Sequence, residues 1–126
     1  MEEITGTITK GMGKAAQFIP HYEQKIKEVL NFKPFPGTLN LQLDEKNNKL
    51  FQQIKEKSKN SITIKPFNNF GAIYLIRISI KNIPNAAILI PEKTTHQKYI
   101  IELIAEQNIK ETLKKTDNEK VSFTLK

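Results

Sequence analysis

Alternation of apolar and polar residues along the chain predicts that most of it forms short β-strands. Residues 4–9 alternate isoleucine or glycine with threonine, and residues 76–80 alternate isoleucine with arginine or serine. A period of two is typical of strands with one buried face. Together with short apolar runs, this pattern predicts six or seven strands, at 4–9, 38–43, 61–64, 71–80, 86–90, 99–104 and 120–125.

Apolar residues at helical spacing predict two or three short helices between these strands. The first is expected to begin near Pro20, which suits a first helical turn, and to continue to Asn31. Residues 45–59 are polar with a few apolar side chains on one side, which predicts either a surface helix or an irregular excursion. A third helix is expected at 109–115, followed by a turn at Asp117-Asn118.

Many short strands without regular strand–helix alternation favour a mainly β fold over a parallel α/β sheet. The arrangement we expect is a closed or partly closed β-barrel. The 126 residues carry no compositional break, which predicts a single domain over residues 1–126.

Composition narrows the class of protein. The chain is 38% hydrophobic and 26% charged, and no apolar stretch approaches the ~20 residues of a membrane span. It starts with acidic residues where a signal peptide would be basic, so we expect a cytoplasmic protein. The lack of cysteine excludes disulfides, thiolate metal sites and cysteine nucleophiles.

The net charge of +7 favours anionic partners, such as nucleic acid, a membrane surface or a nucleotide. Arg77 is the only arginine, and arginine is the usual residue for bidentate reading of guanine. Its scarcity argues against sequence-specific nucleic-acid binding. A lysine-rich surface that keeps the protein soluble is the simpler explanation for most of the charge.

The segment Gly37-Thr38-Leu39-Asn40 is the most specific chemical signal. On an extended segment, Thr38 and Asn40 point to the same side and can place two neutral oxygens on one hard cation. Such a pair suits Mg²⁺ that is mostly held by water and substrate phosphates. The segment therefore predicts a metal that arrives with a nucleotide.

A glycine-containing loop follows the first predicted strand. Its glycines let backbone N–H groups approach an anion, and Lys14 adds a charge, although such a segment can also be only a turn. It has neither the Walker pattern nor a dinucleotide fingerprint.

Two further polar features follow apolar strands. The residues from Pro91 to His96 emerge at a strand end, where barrels commonly bind ligands. Glu102 lies inside an apolar run, so it either faces solvent or binds something. With only His21 and His96, the chain has no pattern typical of a metal triad or a Ser/His/Asp array.

These segments together resemble the archaeal CTP-dependent riboflavin kinase family, over nearly the whole chain and in the same order. The specific parts are Gly37-Thr38-Leu39-Asn40, preceded by Phe32-x-Pro34-Phe35, and Pro91-x-Lys93-Thr94-x-His96, followed by Ile100-Ile101-Glu102.

The resemblance implies a six-stranded cradle-loop barrel that transfers the γ-phosphate of CTP to the 5′-hydroxyl of riboflavin, giving FMN and CDP. Thr38 and Asn40 would hold one Mg²⁺, and Thr94 and Glu102 would contact the flavin, with Glu102 orienting or deprotonating the hydroxyl. The nucleotide would be contacted by Gly11, Met12, Gly13, Lys14, Ala15 and Ala16, and by Gln107, Asn108, Ile109 and Lys110.

The chain departs from the family pattern at two places. Ala15 and Ala16 stand where another glycine and a basic residue are common, with Lys14 as a replacement charge, and Lys110 stands where an arginine is familiar. We expect a monomer that binds neither nucleic acid nor membrane. The alternatives are a lysine-rich nucleic-acid-binding barrel and a flavin-binding domain without catalysis.

Overall fold

A computed structural model of the protein describes residues 3–11, 15–57, 61–92 and 99–126, with backbone alone at 15, 16 and 57. The strands in these ranges are β1 (Ile4–Thr9), β2 (Leu39–Leu43), β3 (Ile62–Ile64), β4 (Ile73–Ile80), β5 (Ile83–Pro91), β6 (Ile100–Ala105) and β7 (Lys120–Leu125). The helices are α1 (Ala15–Leu30), α2 (Glu45–Lys57) and α3 (Ile109–Leu113).

Six strands close into an antiparallel barrel, which confirms the predicted fold class. The hydrogen-bonded order is β3-β4-β5-β6-β2-β1-β7, and β7 pairs back onto β4 through Ile78 and Ser79. Closure leaves β3 outside the ring, paired to the first half of β4. All these pairings are antiparallel.

The barrel wall has two apolar faces, because successive side chains of a strand point to opposite sides. Leu39, Leu41 and Leu43 of β2 face the interior, in one buried cluster with side chains from the other barrel strands. The outer face of β4, β5 and β6 contributes to a second buried cluster, which α1 covers with Ile19 and Ile26.

Helix α1 begins earlier than its sequence pattern predicted. The helix starts at Ala15 and contains Pro20 in its interior, so the prediction of a start near Pro20 was wrong. A proline there removes one helical hydrogen bond, but the buried residues of α1 hold the helix on the sheet. Asn31, with a φ of 63°, follows the last helical residue.

The remaining elements lie close to their predicted positions. Of the two alternatives for residues 45–59, the surface helix is correct, and Asp44 caps it by accepting a hydrogen bond of 2.7 Å from the Asn47 backbone. Strand β5 begins earlier than predicted, because a two-residue turn with Asn82 at a φ of 66° joins it to β4. None of the helices in the described ranges is long and apolar enough to cross a membrane.

Candidate active site

The predicted site residues Thr38, Asn40 and Glu102 lie on the outer face of the barrel, where β2 runs between β1 and β6. Asn40 is the register partner of Glu102 on β6 and of Thr9 on β1. Its neighbours Leu39 and Leu41 point into the barrel, so Asn40 points outward by strand alternation. Long-range strand pairing thus brings together residues that lie far apart in the sequence.

Glu102 is buried, with a relative exposure of 4%. The alternative that this carboxylate faces solvent was therefore wrong. Leu89 of β5 is its register partner on the side away from β2, and the Thr38 hydroxyl donates a hydrogen bond of 3.0 Å to Glu102 Oε1. A buried carboxylate requires polar partners, and Thr38 is one of them.

Asn40 is also buried, with a relative exposure of 8%. Its Oδ1 has no hydrogen-bond partner among the residues that the structure describes. A buried acceptor without a hydrogen bond destabilises the folded protein, and a ligand or cation that binds this oxygen would offset that cost. This orphaned oxygen is the structural sign that Asn40 has a role beyond packing.

Oxygens of these kinds are the ligands that a hard cation prefers. Thr38 and Asn40 supply neutral oxygens, and the Glu102 carboxylate lies against Thr38. Within the described ranges, no three His, Cys, Asp or Glu side chains form a cluster that could hold a metal alone. A cation here would take its other ligands from water and phosphates, as Mg²⁺ commonly does.

Thr38 also lines a small cleft of about 90 Å³ that is open to solvent. Its walls are the segment before β2 and the segment that leads into α3, namely Phe35, Gly37, Thr38, Leu39, Gln107, Asn108, Ile109 and Lys110. The cleft thus lies between two segments that the sequence assigned to the site, namely residues 37–40 for the metal and residues 107–110 for the nucleotide. Sequence reasoning missed Phe35 as a lining residue, although its ring, 37% exposed, is one of the most exposed large apolar side chains.

Backbone and capping bonds hold the two walls of this cleft in place. The Phe35 N–H donates a hydrogen bond of 2.8 Å to the Ala105 carbonyl at the end of β6. Asn108 caps α3, because its side chain accepts a hydrogen bond of 3.1 Å from the Glu111 backbone. The Oδ1 atom of Asn108 is therefore already engaged in the helix cap.

Lys110 forms an ion pair of 2.8 Å with Asp117, in the turn after α3. The hydrogen bond from Lys110 lowers the pKa of Asp117, and the charge of Lys110 adds to this effect. The Lys110 side chain lines the cleft and remains 43% exposed.

Several predicted contacts fall outside the described residues. These are Met12, Gly13, Lys14, Thr94 and the neighbouring His96, and the side chains of Ala15 and Ala16. Gly11 is described, and it lies exposed just beyond the end of β1.

Comparison with known proteins identifies the family. Residues 8–125 match a family model named CTP-dep_RFKase, with the description "Domain of unknown function DUF120". A riboflavin kinase of Methanobrevibacter smithii is 36% identical over 122 residues, which cover 95% of this chain and 97% of the relative.

Other relatives are longer. A riboflavin kinase of Methanosarcina acetivorans is 34% identical over 98% of this chain and 54% of its own length, and one of Saccharolobus solfataricus is 32% identical over 96% and 72%. The chain thus spans about half of the Methanosarcina protein and nearly all of the Methanobrevibacter one. By its matched residues and these relatives, the chain belongs to the family of CTP-dependent riboflavin kinases.

Proposed function

We propose that the chain transfers the γ-phosphate of CTP to the 5′-hydroxyl of riboflavin, with one Mg²⁺, and releases FMN and CDP. One observation carries the proposal for these residues: Thr38 lines the cleft and is also hydrogen-bonded to the buried Glu102. A phosphate donor in the cleft and an alcohol beside Glu102 would therefore meet at Thr38.

The two substrates approach from different segments. CTP binds at the cleft, which is lined by residues 107–110, and its phosphates contact the Gly11–Ala16 segment. Riboflavin approaches from the side of Glu102 and Thr94. In this proposal the enzyme acts as a monomer and binds no nucleic acid.

Phosphoryl transfer depends mainly on positioning and charge neutralisation. Thr38 Oγ1 and Asn40 Oδ1 would hold the Mg²⁺, which neutralises phosphate charge when it is bound. Glu102 orients the 5′-hydroxyl and accepts its proton as the oxygen bonds to the γ-phosphorus. The bond between the γ-phosphorus and the β–γ bridging oxygen breaks, and CDP leaves with the electron pair.

The test is direct. The purified protein is incubated with riboflavin, Mg²⁺ and each of the four nucleoside triphosphates separately, and FMN is measured by chromatography. We expect FMN with CTP and Mg²⁺, and none when EDTA replaces Mg²⁺.

Two other results would contradict the proposal in different ways. Riboflavin binding without FMN formation under any triphosphate would mean a non-catalytic flavin-binding domain. Affinity for RNA that falls steeply with salt, with no response to riboflavin, would mean a nucleic-acid-binding barrel.

A further inference from the structure

Gly11 lies directly against the carboxamide of Asn40. A Cβ atom built on Gly11 would be 2.2 Å from Asn40 Nδ2 and 2.9 Å from Asn40 Cγ. Non-bonded contacts of a real Cβ essentially never fall below 3.0 Å. Any other residue at position 11 would therefore need space for its Cβ atom that the Asn40 carboxamide already fills.

Strand pairing explains this close approach. Thr9, the last residue of β1, is the register partner of Asn40, and Gly11 follows two residues later, just beyond the strand. This places Gly11 near the position of a diagonal cross-strand neighbour, and the direction of its Cβ is toward the Asn40 carboxamide. Removing the side chain at this position lets the Asn40 carboxamide lie under the end of β1.

The requirement for glycine is steric. The φ of Gly11 lies outside the left-handed region, so an L-residue could adopt its backbone conformation. By comparison, a Cβ on Gly37 would make only an ordinary contact of 3.4 Å with the Phe35 ring. Of the glycines in the described ranges, Gly11 is the one whose missing side chain makes room for a polar group of the proposed site.

We propose that Gly11 is a positioning residue for Asn40. Because Gly11 has no side chain, its backbone can form one wall of the slot that holds the Asn40 carboxamide. The Oδ1 atom of this carboxamide is the buried oxygen that has no hydrogen-bond partner among the described residues. The inference deepens the proposed function, because a fixed Asn40 oxygen serves the cation that accompanies the triphosphate. Gly11 thus acts through Asn40.

Burial limits how Asn40 could respond to a larger residue. Asn40 is 8% exposed and has Glu102 on one side and Thr9 on the other. A Cβ on Gly11 would either rotate the carboxamide out of its slot or lift the end of β1 from β2. Either change displaces Oδ1, and a displacement of about 1 Å can reduce turnover by about 10²-fold.

The first test observes Asn40 without any activity. The side-chain NH₂ signal of Asn40 is assigned in a ¹H–¹⁵N spectrum by its loss in Asn40→Ala, and then compared between the wild type and Gly11→Ala. We expect the signal to shift strongly or broaden. An unshifted Asn40 signal in a folded Gly11→Ala protein overturns the proposal, whether or not the protein makes FMN.

The second test is a double-mutant cycle with Gly11→Ala, Asn40→Ala and the double variant. Mg²⁺-dependent binding of CTP is measured by calorimetry, together with the rate of FMN formation. We expect Gly11→Ala to lose most of the gain in CTP affinity that Mg²⁺ provides, and to add no further loss in the Asn40→Ala background. An equal loss in both backgrounds would mean that Gly11 acts on the nucleotide directly, which overturns the proposal.

The same three variants also show whether a folding defect in Gly11→Ala comes from the steric clash with Asn40. If the Gly11→Ala variant is destabilised, Asn40→Ala removes the clashing carboxamide and should restore its melting temperature to that of Asn40→Ala alone. A double variant that remains as unstable as Gly11→Ala would contradict the steric explanation. If the wild type makes no FMN, the proposed function is wrong. The spectrum and the melting temperatures would still decide whether Gly11 positions Asn40.

Discussion

The Thr38 hydroxyl donates a hydrogen bond of 3.0 Å to Glu102 Oε1, and so links the cleft to the buried carboxylate of β6. A hydroxyl has one proton and two lone pairs. Because the proton points to Glu102, the lone pairs of Thr38 are directed elsewhere and are available to a cation. This hydrogen bond connects the proposed metal ligand with the proposed flavin contact.

The first prediction concerns the charge of Glu102. Glu102→Gln keeps the size of the side chain and an oxygen that can accept from Thr38, but it removes the base. We expect kcat for FMN formation to fall by about 10²–10⁴-fold. The matched control is Glu106→Gln, at an exposed position just beyond β6, which should keep wild-type turnover.

Steady-state kinetics separate the two roles of Glu102. A raised KM for riboflavin, with kcat retained at saturation, would mean that Glu102 only binds the flavin.

The second prediction concerns Asn40. Asn40→Ala removes the buried oxygen Oδ1 and should lower turnover by at least about 100-fold, because metal ligands matter at least as much as the groups that orient them. The circular dichroism spectrum should be unchanged, since Asn40 lies outside both apolar clusters. Asn48→Ala on helix α2 is the control. An Asn40→Ala enzyme with an unchanged rate would remove the metal assignment.

The third prediction separates charge from structure at Lys110. Lys110→Ala removes a cation from the edge of the cleft and should raise the KM for CTP by about tenfold, as expected for one hydrogen bond to a charged group. Asp117→Asn breaks the same ion pair but keeps the ammonium group. It should leave the KM for CTP unchanged or lower it. Equal increases in both variants would mean that the ion pair acts only by holding α3.

The fourth prediction is a pH dependence of stability at Tyr22. The Tyr22 hydroxyl donates a hydrogen bond of 2.7 Å to the Gly71 carbonyl, and burial, together with the charge of Glu92, raises the pKa of Tyr22. At neutral pH, Tyr22→Phe should lower the free energy of unfolding by about 1 kcal/mol, the usual net contribution of a hydrogen bond.

The sign of the effect follows from the direction of the shift. A raised folded-state pKa gives stability that is present below the unfolded-state pKa of Tyr22, and that is lost as the pH rises through the folded-state pKa. The difference between wild type and Tyr22→Phe should therefore shrink at high pH. Urea unfolding at pH 8 and pH 11 measures this difference in the free energy of unfolding. The control is Tyr74→Phe, at an exposed position. A difference that stays constant would contradict the expected ionisation.

Much of the fold could be predicted from local pattern. Strand β7 has the predicted bounds, and β1 also matches, because alternation identifies strands with one buried face. The start of α1 was missed, since proline in a helix interior is unfavourable by itself and only packing on the sheet compensates for it. The extension of β5 was missed because its turn depends on the positive φ of Asn82.

For the site, the sequence by itself determined that Thr38 and Asn40 share one side of an extended segment, because side chains alternate along a strand whatever surrounds it. Only the tertiary structure decided that Glu102 is buried opposite Asn40 and that Gly11 lies on its carboxamide. Those relations depend on the register between strands that are distant in the sequence. Register is set by how the whole barrel closes around its core, which no local pattern of residues contains.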